Sequence, residues 1–277
     1  YKYWEIEDFQ TDKRDYQEKV ADFRSLFLNS VKLHLRSDVP LGTCLSGGLD
    51  SSSIASAVST LQPDSELHTF SIYYDRAGFD EREWMRKVEE EYPQIIPHHY
   101  SPSDNELLEH FEDFFYQQEV PMAASSPFSQ YFLMRLAKQC GVTVTLDGQG
   151  ADEYLIGYMH SFYRVLADDF RMLRWGSAAR QYAGHLDLRE LKGSSKQALL
   201  KKTIASVLMP EDKIAEIAFK RVQPWVMNSE YKADEPLVPL AGSRTDAFLH
   251  GLTFHSTLPT LLHYADRNSM RFSIESR

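Results

Sequence analysis

Residues 41–61, LGTCLSGGLDSSSIASAVSTL, constrain the fold more than any other stretch of the chain. The apolar run 41–45 reads as a short buried strand, and the glycines at 47 and 48 let the backbone turn sharply after it. Beyond the turn, Ile54, Ala57, Val58 and Leu61 fall at helical spacing. In a strand, glycine turn and helix of this kind, successive amides point into one concavity, and the helix adds its unpaired N–H groups and positive dipole end. A polyphosphate fits there. Ser46, Ser51 and Ser52 add hydroxyl donors, whereas Asp50 is an anion inside an anion site, which makes sense if it holds Mg²⁺ against the phosphates. The competing reading is an ordinary turn whose Asp50 and serines cap a helix. The seven-residue context 46–52 favours the phosphate site over that alternative.

The pattern repeats along the first half. Strands are expected at 67–74, 94–100 and 142–146, with Pro97 placing the second of these at a sheet edge or shortening it. Helices are expected at 81–91, opened by a capping box of Asp80 and Glu83, at 103–118, opened by Ser103 and Glu106, and at 128–140, ended by Gly141. A leading helix carries Val20, Phe23, Phe27, Val31 and Leu35 on one face, which should be buried. Strands alternating with helices mean a parallel sheet flanked by helices, with ligands beyond the carboxyl ends of the strands. Strand patterning stops after about Tyr158: residues 161–221 and 245–277 read as helical around an irregular stretch, 222–244, with Pro224, Pro236 and Pro239. The organisation expected is a leading helix (1–38), an α/β core (39–160) and a helical part (161–277).

Composition removes several function classes. With 30 Lys+Arg against 40 Asp+Glu, the net charge of −10 argues against a sequence-independent nucleic-acid binder, so an anionic ligand must be held locally. No apolar run approaches the roughly 20 residues of a membrane-spanning helix. Two cysteines, Cys44 and Cys140, are too few for a disulfide framework, which points to a reducing, cytoplasmic setting. The chain starts without Met and ends without a polar tail, and is expected to be a piece of something longer.

The turn lacks the Gly-Lys-Ser/Thr ending of a Walker loop. It resembles instead the PP-loop of the ATP pyrophosphatases, an adenine nucleotide alpha-hydrolase-like fold. The blocks RSDVPLGTCLSGGLDSSSIASAV (36–58), TFSI with FDE (69–72, 79–81), LDGQGADEYLIGY (146–158) and YADRNSMRFSIESR (264–277) together resemble the synthetase domain of glutamine-dependent asparagine synthetases. The resemblance implies that the β-carboxylate of aspartate attacks the α-phosphorus of ATP, giving an acyl-adenylate and pyrophosphate, and that ammonia then displaces AMP. It also implies residue roles. Asp50 and Asp152 would hold Mg²⁺, Gly148 would lie close to adenine together with backbone near Leu45 and Ile72, and Glu153 would orient the site. Apart from the resemblance, Asp152 and Glu153 read equally as residues complementing a helix dipole, and Leu45 and Ile72 as plain core.

Position 149 departs from the family. Asparagine-forming enzymes carry a glutamate there, in a Ser-Gly-Glu-Gly context, to position the substrate or accept a proton. Gln149, following Asp147, can orient by hydrogen bonds but cannot act as a base. LDGQGADE is similar to a divergent subgroup with unclear acceptors, so the same adenylation applied to another acid, as in β-lactam or lasso-peptide ring closure, and a non-catalytic nucleotide-binding module remain open. The resemblance further implies a glutaminase domain, with an N-terminal cysteine nucleophile, preceding this segment, and a lysine-bearing segment following SIESR.

Overall fold

The computed structural model describes residues 12–75, 80–122, 125–186, 196–209, Lys213 and 243–277. The chain divides into two compact units, whose described residues fall within 1–149 and 260–277 in the one and within 150–259 in the other.

The first unit is the parallel α/β body. In chain order it holds α1 (Tyr16–His34), β1 (Leu41–Cys44), α2 (Leu49–Leu61), β2 (Leu67–Ile72), α3 (Arg82–Glu91), β3 (Ile95–Tyr100), α4 (Asp104–Gln118), α5 (Ser126–Gln139) and β4 (Val144–Leu146). The sheet runs β3-β2-β1-β4-β5, every pair parallel, where β5 is Glu275–Ser276. Pro97 sits in β3, the edge strand, as its missing N–H requires. One sheet face buries Leu67, Ile95 and Leu146 against Ala57 and Val58 of α2 and Val31 of α1. The other buries Phe70 and Ile274 against Met134 and Ala137 of α5. Cover on both faces is what a parallel sheet needs. Because β1 is flanked by β2 on one side and β4 on the other, the strand order reverses there, and a crevice opens beyond the carboxyl ends of β1 and β4.

Three local expectations need correction. The C-terminal half of α1 packs through Val31 and Leu35, but Val20 and Phe23 are 43% and 47% exposed. A 19-residue helix is about 28 Å long, whereas strands of four to six residues reach only about 13–20 Å, so the sheet cannot cover its whole length. The N-cap of α3 is Glu81, without a side-chain cap, because Asp80 instead accepts from the Arg82 backbone N–H (3.1 Å) and its Nε (2.8 Å). Finally, the helical reading of 161–277 misses β5, whose ladder runs from Glu275 N to Thr143 O and from Arg277 N to Thr145 O. The capping box of Ser103 and Glu106 forms as expected, and Gly141 ends α5 with φ of +76°.

The second unit is helical among its described residues: α6 (Ala151–Leu155), α7 (Met159–Arg171), α8 (Trp175–Leu186), α9 (Lys196–Leu208) and α10 (Arg244–Phe254). Asp168, buried in α7, accepts from Thr245 N (2.9 Å) and Oγ1 (2.6 Å) and so ties the start of α10 to α7. The last long helix, α11 (Thr257–Arg271), carries the chain back to the first unit. The expected irregular stretch with Pro224, Pro236 and Pro239 lies outside the described residues.

Candidate active site

Residues 46–52 close the end of β1 and open α2. The β1 terminus is anchored first: Leu45 N donates to Phe70 O (2.9 Å), and Ser71 Oγ donates to Leu45 O (2.6 Å). Gly47 then takes φ of +84°, in the left-handed region, and a Cβ there would meet Glu81 O and Trp84 Cβ, both at 3.0 Å. Glycine is required on both counts. Gly48 is the N-cap of α2, and as a glycine it brings no side chain to bond the first N–H groups of the helix. The hydroxyls instead brace the turn from within. Gly48 N donates to Ser46 Oγ (3.2 Å), Ser51 Oγ donates to Gly48 O (3.2 Å), and the two serine oxygens lie 3.0 Å apart. Asp50 and Ser52 stand in the first turn of α2.

Across the crevice, the backbone after β4 rides on that same helix turn. A Cβ at Gly148 would lie 3.3 Å from Asp50 Cβ, Ile54 Cδ1 and Ser51 N, tighter than most such contacts. Between the two strand ends is a cavity of about 470 Å³, within the size range of small-molecule sites. It brings together six residues singled out from the sequence: Leu45, Ser46, Ser51, Ile72, Gly148 and Gln149. Gly47, Gly48, Asp50 and Ser52 form the turn and helix start but are not among its lining residues. Asp152 and Glu153 belong to the other unit, on α6. There Glu153 is 1% exposed and accepts from Tyr158 OH (2.7 Å), and a Cβ on Gly157 would overlap the Asp152 carboxylate.

Several lining residues escaped the sequence reading. The first turn of α5 contributes Ser126, Ser129 and Gln130, and the Tyr74 hydroxyl closes the wall by bonding Ser129 Oγ (2.9 Å). Glu81, also lining, has its pKa raised by burial. Asp147 is the most heavily engaged. Its N–H donates to Arg277 O (2.9 Å), and its Oδ2 accepts from Ser276 Oγ (2.6 Å) and Thr145 Oγ1 (3.4 Å). Its Oδ1 is buried without a hydrogen-bond partner among the described residues. Burial raises the Asp147 pKa, while hydrogen bonds from Ser276, the Cys44 thiol and Thr145 pull it down. The Cys44 thiol beside it is pushed well above the usual thiol range by burial and by that carboxyl, which makes it an inert thiol. Motif reading noted Asp147 only as a neighbour of Gln149, because its partners come from the far end of the chain.

A parallel sheet, a strand-order reversal and a glycine turn feeding a helix define this as a PP-loop α/β domain of the synthetase type. Residues 22–277 match the asparagine synthase family, and the chain belongs to that family. It is 34% identical over 157 residues to asparagine synthetase [glutamine-hydrolyzing] 1 of Bacillus subtilis, covering 54% of this chain and 23% of that protein. It is 30% identical over 240 residues to asparagine synthetase [glutamine-hydrolyzing] of Zea mays, covering 78% of this chain and 40% of that one. A relative with a different name, amidase chyE of Penicillium rubens, is 28% identical over 172 residues, covering 56% of this chain and 25% of its own length. The chain thus spans well under half the length of these curated relatives. Among the described residues no helix is long and apolar enough to cross a membrane.

Proposed function

We propose that the protein uses ATP to adenylate a carboxylate, releasing pyrophosphate, and that ammonia then displaces AMP to leave an amide; aspartate is the acid and asparagine the product. A carboxylate is a poor electrophile with a poor leaving group, and attaching AMP makes an acyl centre that an amine attacks. The observation that carries this reading is the glycine turn opening beside a cavity of about 470 Å³ at the strand-order reversal. Ser46, Gly47, Gly48, Ser51 and Ser52 bind the β and γ phosphates and stabilise the charge that develops on departing pyrophosphate. Backbone at Leu45, Ile72 and Gly148 flanks the adenine, Gln149 orients the acid by hydrogen bonds, and Glu153 orients its surroundings.

Mg²⁺ is carried by Asp50 and Asp152 in this reading. Mg²⁺ keeps several waters and takes one or two carboxylates plus substrate phosphates rather than a dedicated protein cage. Asp50, in the first turn of α2 beside the glycine turn, suits an ion shared with phosphates, and no self-sufficient group of three or more His, Cys, Asp or Glu occurs among the described residues. When bound, the ion would share the negative charge of the leaving group. The ammonia comes from a glutaminase domain N-terminal to this segment, which the glutamine-hydrolyzing names of the relatives support. The partners are therefore small molecules and that domain, with no nucleic acid and no membrane, and the setting is cytoplasmic.

The test is exchange of labelled pyrophosphate into ATP by the protein at its full natural length, across a panel of amino and carboxylic acids with Mg²⁺. Exchange stimulated by aspartate is expected. Stimulation by another acid instead would favour the second reading, adenylation of a different acceptor, for which the replacement of a glutamate by Gln149 is the specific observation. ATP binding without exchange for any acid would favour a nucleotide-binding module.

A further inference from the structure

Four carboxamides, those of Gln117, Gln118, Gln130 and Asn268, meet beside the cavity. Asn268, fully buried in α11, joins the end of α4 to the start of α5. Its Nδ2 donates to Pro127 O (2.8 Å), a carbonyl that can only accept, and this settles which way the amide is turned. Its Oδ1 therefore accepts, from Gln117 Nε2 (3.0 Å) and Gln118 Nε2 (2.8 Å), while its Nδ2 also donates to Gln130 Oε1 (3.0 Å). Gln117 and Gln118 are left with buried Oε1 atoms that have no partner among the described residues. That is a cost in free energy which packing alone does not explain.

We propose that Gln130 selects the acid, its Nε2 binding the carboxylate of that acid which does not react. This rests on the adenylation reading. Gln130 lines the cavity, and with its Oε1 held by Asn268 it has only its NH₂ group to offer a ligand. That group makes no hydrogen bond among the described residues and, unlike the Oε1 atoms of Gln117 and Gln118, it is not closed off from solvent. The bonds run one way, from Gln117 and Gln118 through Asn268 to Gln130, so each amide polarises the next and strengthens the last N–H donors. A donor of this kind suits an anion. Among the described residues that line the cavity there is no Lys, Arg or His, so a carboxylate entering it must be met by neutral donors. Of the two carboxyls in the lining, Asp147 is engaged by Ser276 Oγ (2.6 Å), and burial raises the pKa of Glu81. With phosphates and adenine assigned to the strand ends and the glycine turn, Gln149 after β4 and Gln130 on α5 give the reacting and non-reacting ends of a dicarboxylic acid a separate amide each.

The experiment measures pyrophosphate exchange by wild type, Gln130→Leu and Gln130→Glu at full natural length, with ATP, Mg²⁺ and either aspartate or β-alanine, which is aspartate without its non-reacting carboxylate. Gln130→Leu is expected to raise KM for aspartate about 10–100-fold, as loss of one hydrogen bond to a charged group does. KM for ATP and for β-alanine should stay close to the wild-type values. Gln130→Glu still accepts from Asn268 but sets one carboxylate against another, and should raise KM for aspartate further. An unchanged preference for aspartate over β-alanine, or a parallel rise in KM for ATP, would overturn the proposal. So would an equal loss of exchange with both acids in both variants, which would make Gln130 a packing residue. Where another dicarboxylic acid supports exchange, its analogue without the non-reacting carboxylate replaces β-alanine. Exchange only with acids of a single carboxylate would overturn the proposal and leave adenylation standing. Absence of exchange in the wild type with every acid would remove the adenylation reading, and this inference with it.

Discussion

The two strand ends that face the crevice are built by opposite means. At the end of β1 the turn 46–52 is made of glycines and hydroxyls that bond one another over a few residues, and its capacity to hold an anion lies in backbone N–H groups. At the end of β4 the segment 147–149 presents a carboxyl whose pKa is raised by burial against the pull of hydrogen bonds from Ser276, 129 residues away, and from Cys44 on the neighbouring strand. The first tolerates little change in backbone and much in side chain, and the second the reverse. The difference matches the division of labour proposed above: the pyrophosphate grip is common to any adenylation, whereas acid and amine are chosen by side chains.

That contrast can be broken most easily at Gly47. Gly47→Val places a branched side chain at φ of +84° with no room between Glu81 and Trp84, and strain of this kind costs on the order of 1–3 kcal/mol. ATP affinity measured by calorimetry is expected to fall about 10–100-fold, with a lowered melting temperature. Unchanged affinity would contradict a backbone-built grip.

A smaller effect is expected at Asp50. Asp50→Asn should weaken Mg²⁺-dependent ATP binding by about tenfold, as loss of one charge-assisted contact would, and leave the melting temperature within about 2 °C of wild type. A large drop in melting temperature at unchanged affinity would assign Asp50 to the helix start instead.

The subtlest effect concerns pH. The native pKa of Asp147 is raised above its ordinary 3.8, so its contribution to stability is fully present below that value and is lost as pH rises through the native pKa. Asp147→Asn removes this loss. The variant's melting temperature is expected to gain on wild type as pH rises from 4 to 8. An advantage that is greatest at pH 4 would mean that the carboxyl is not held against ionisation.

Local chemistry was legible in the sequence and distant pairing was not. The glycine turn, the capping box at Ser103, the stop at Gly141 and the edge placement of Pro97 each depend on a few adjacent residues, and the structure bears them out. A two-residue strand such as β5 has no periodicity to read, and it is what brings Ser276 to Asp147. The exposed half of α1 failed for a related reason: five apolar residues on one face state what could be buried, not how far the sheet extends to bury it. At α3, an acid three residues ahead of a glutamate matched the capping pattern, but the neighbouring Arg82 captured Asp80 first. Within the cavity, the first turn of α5 and Tyr74 became neighbours of the glycine turn only through the order of the strands.

In the proposed reaction ATP is cut between its α and β phosphates by attack of a carboxylate. Incubating the full natural-length protein with ATP, Mg²⁺, ammonia and aspartate labelled with ¹⁸O in its side-chain carboxylate tests this directly. One ¹⁸O atom is expected in AMP, with unlabelled pyrophosphate. Label in orthophosphate, accompanied by ADP, would contradict it.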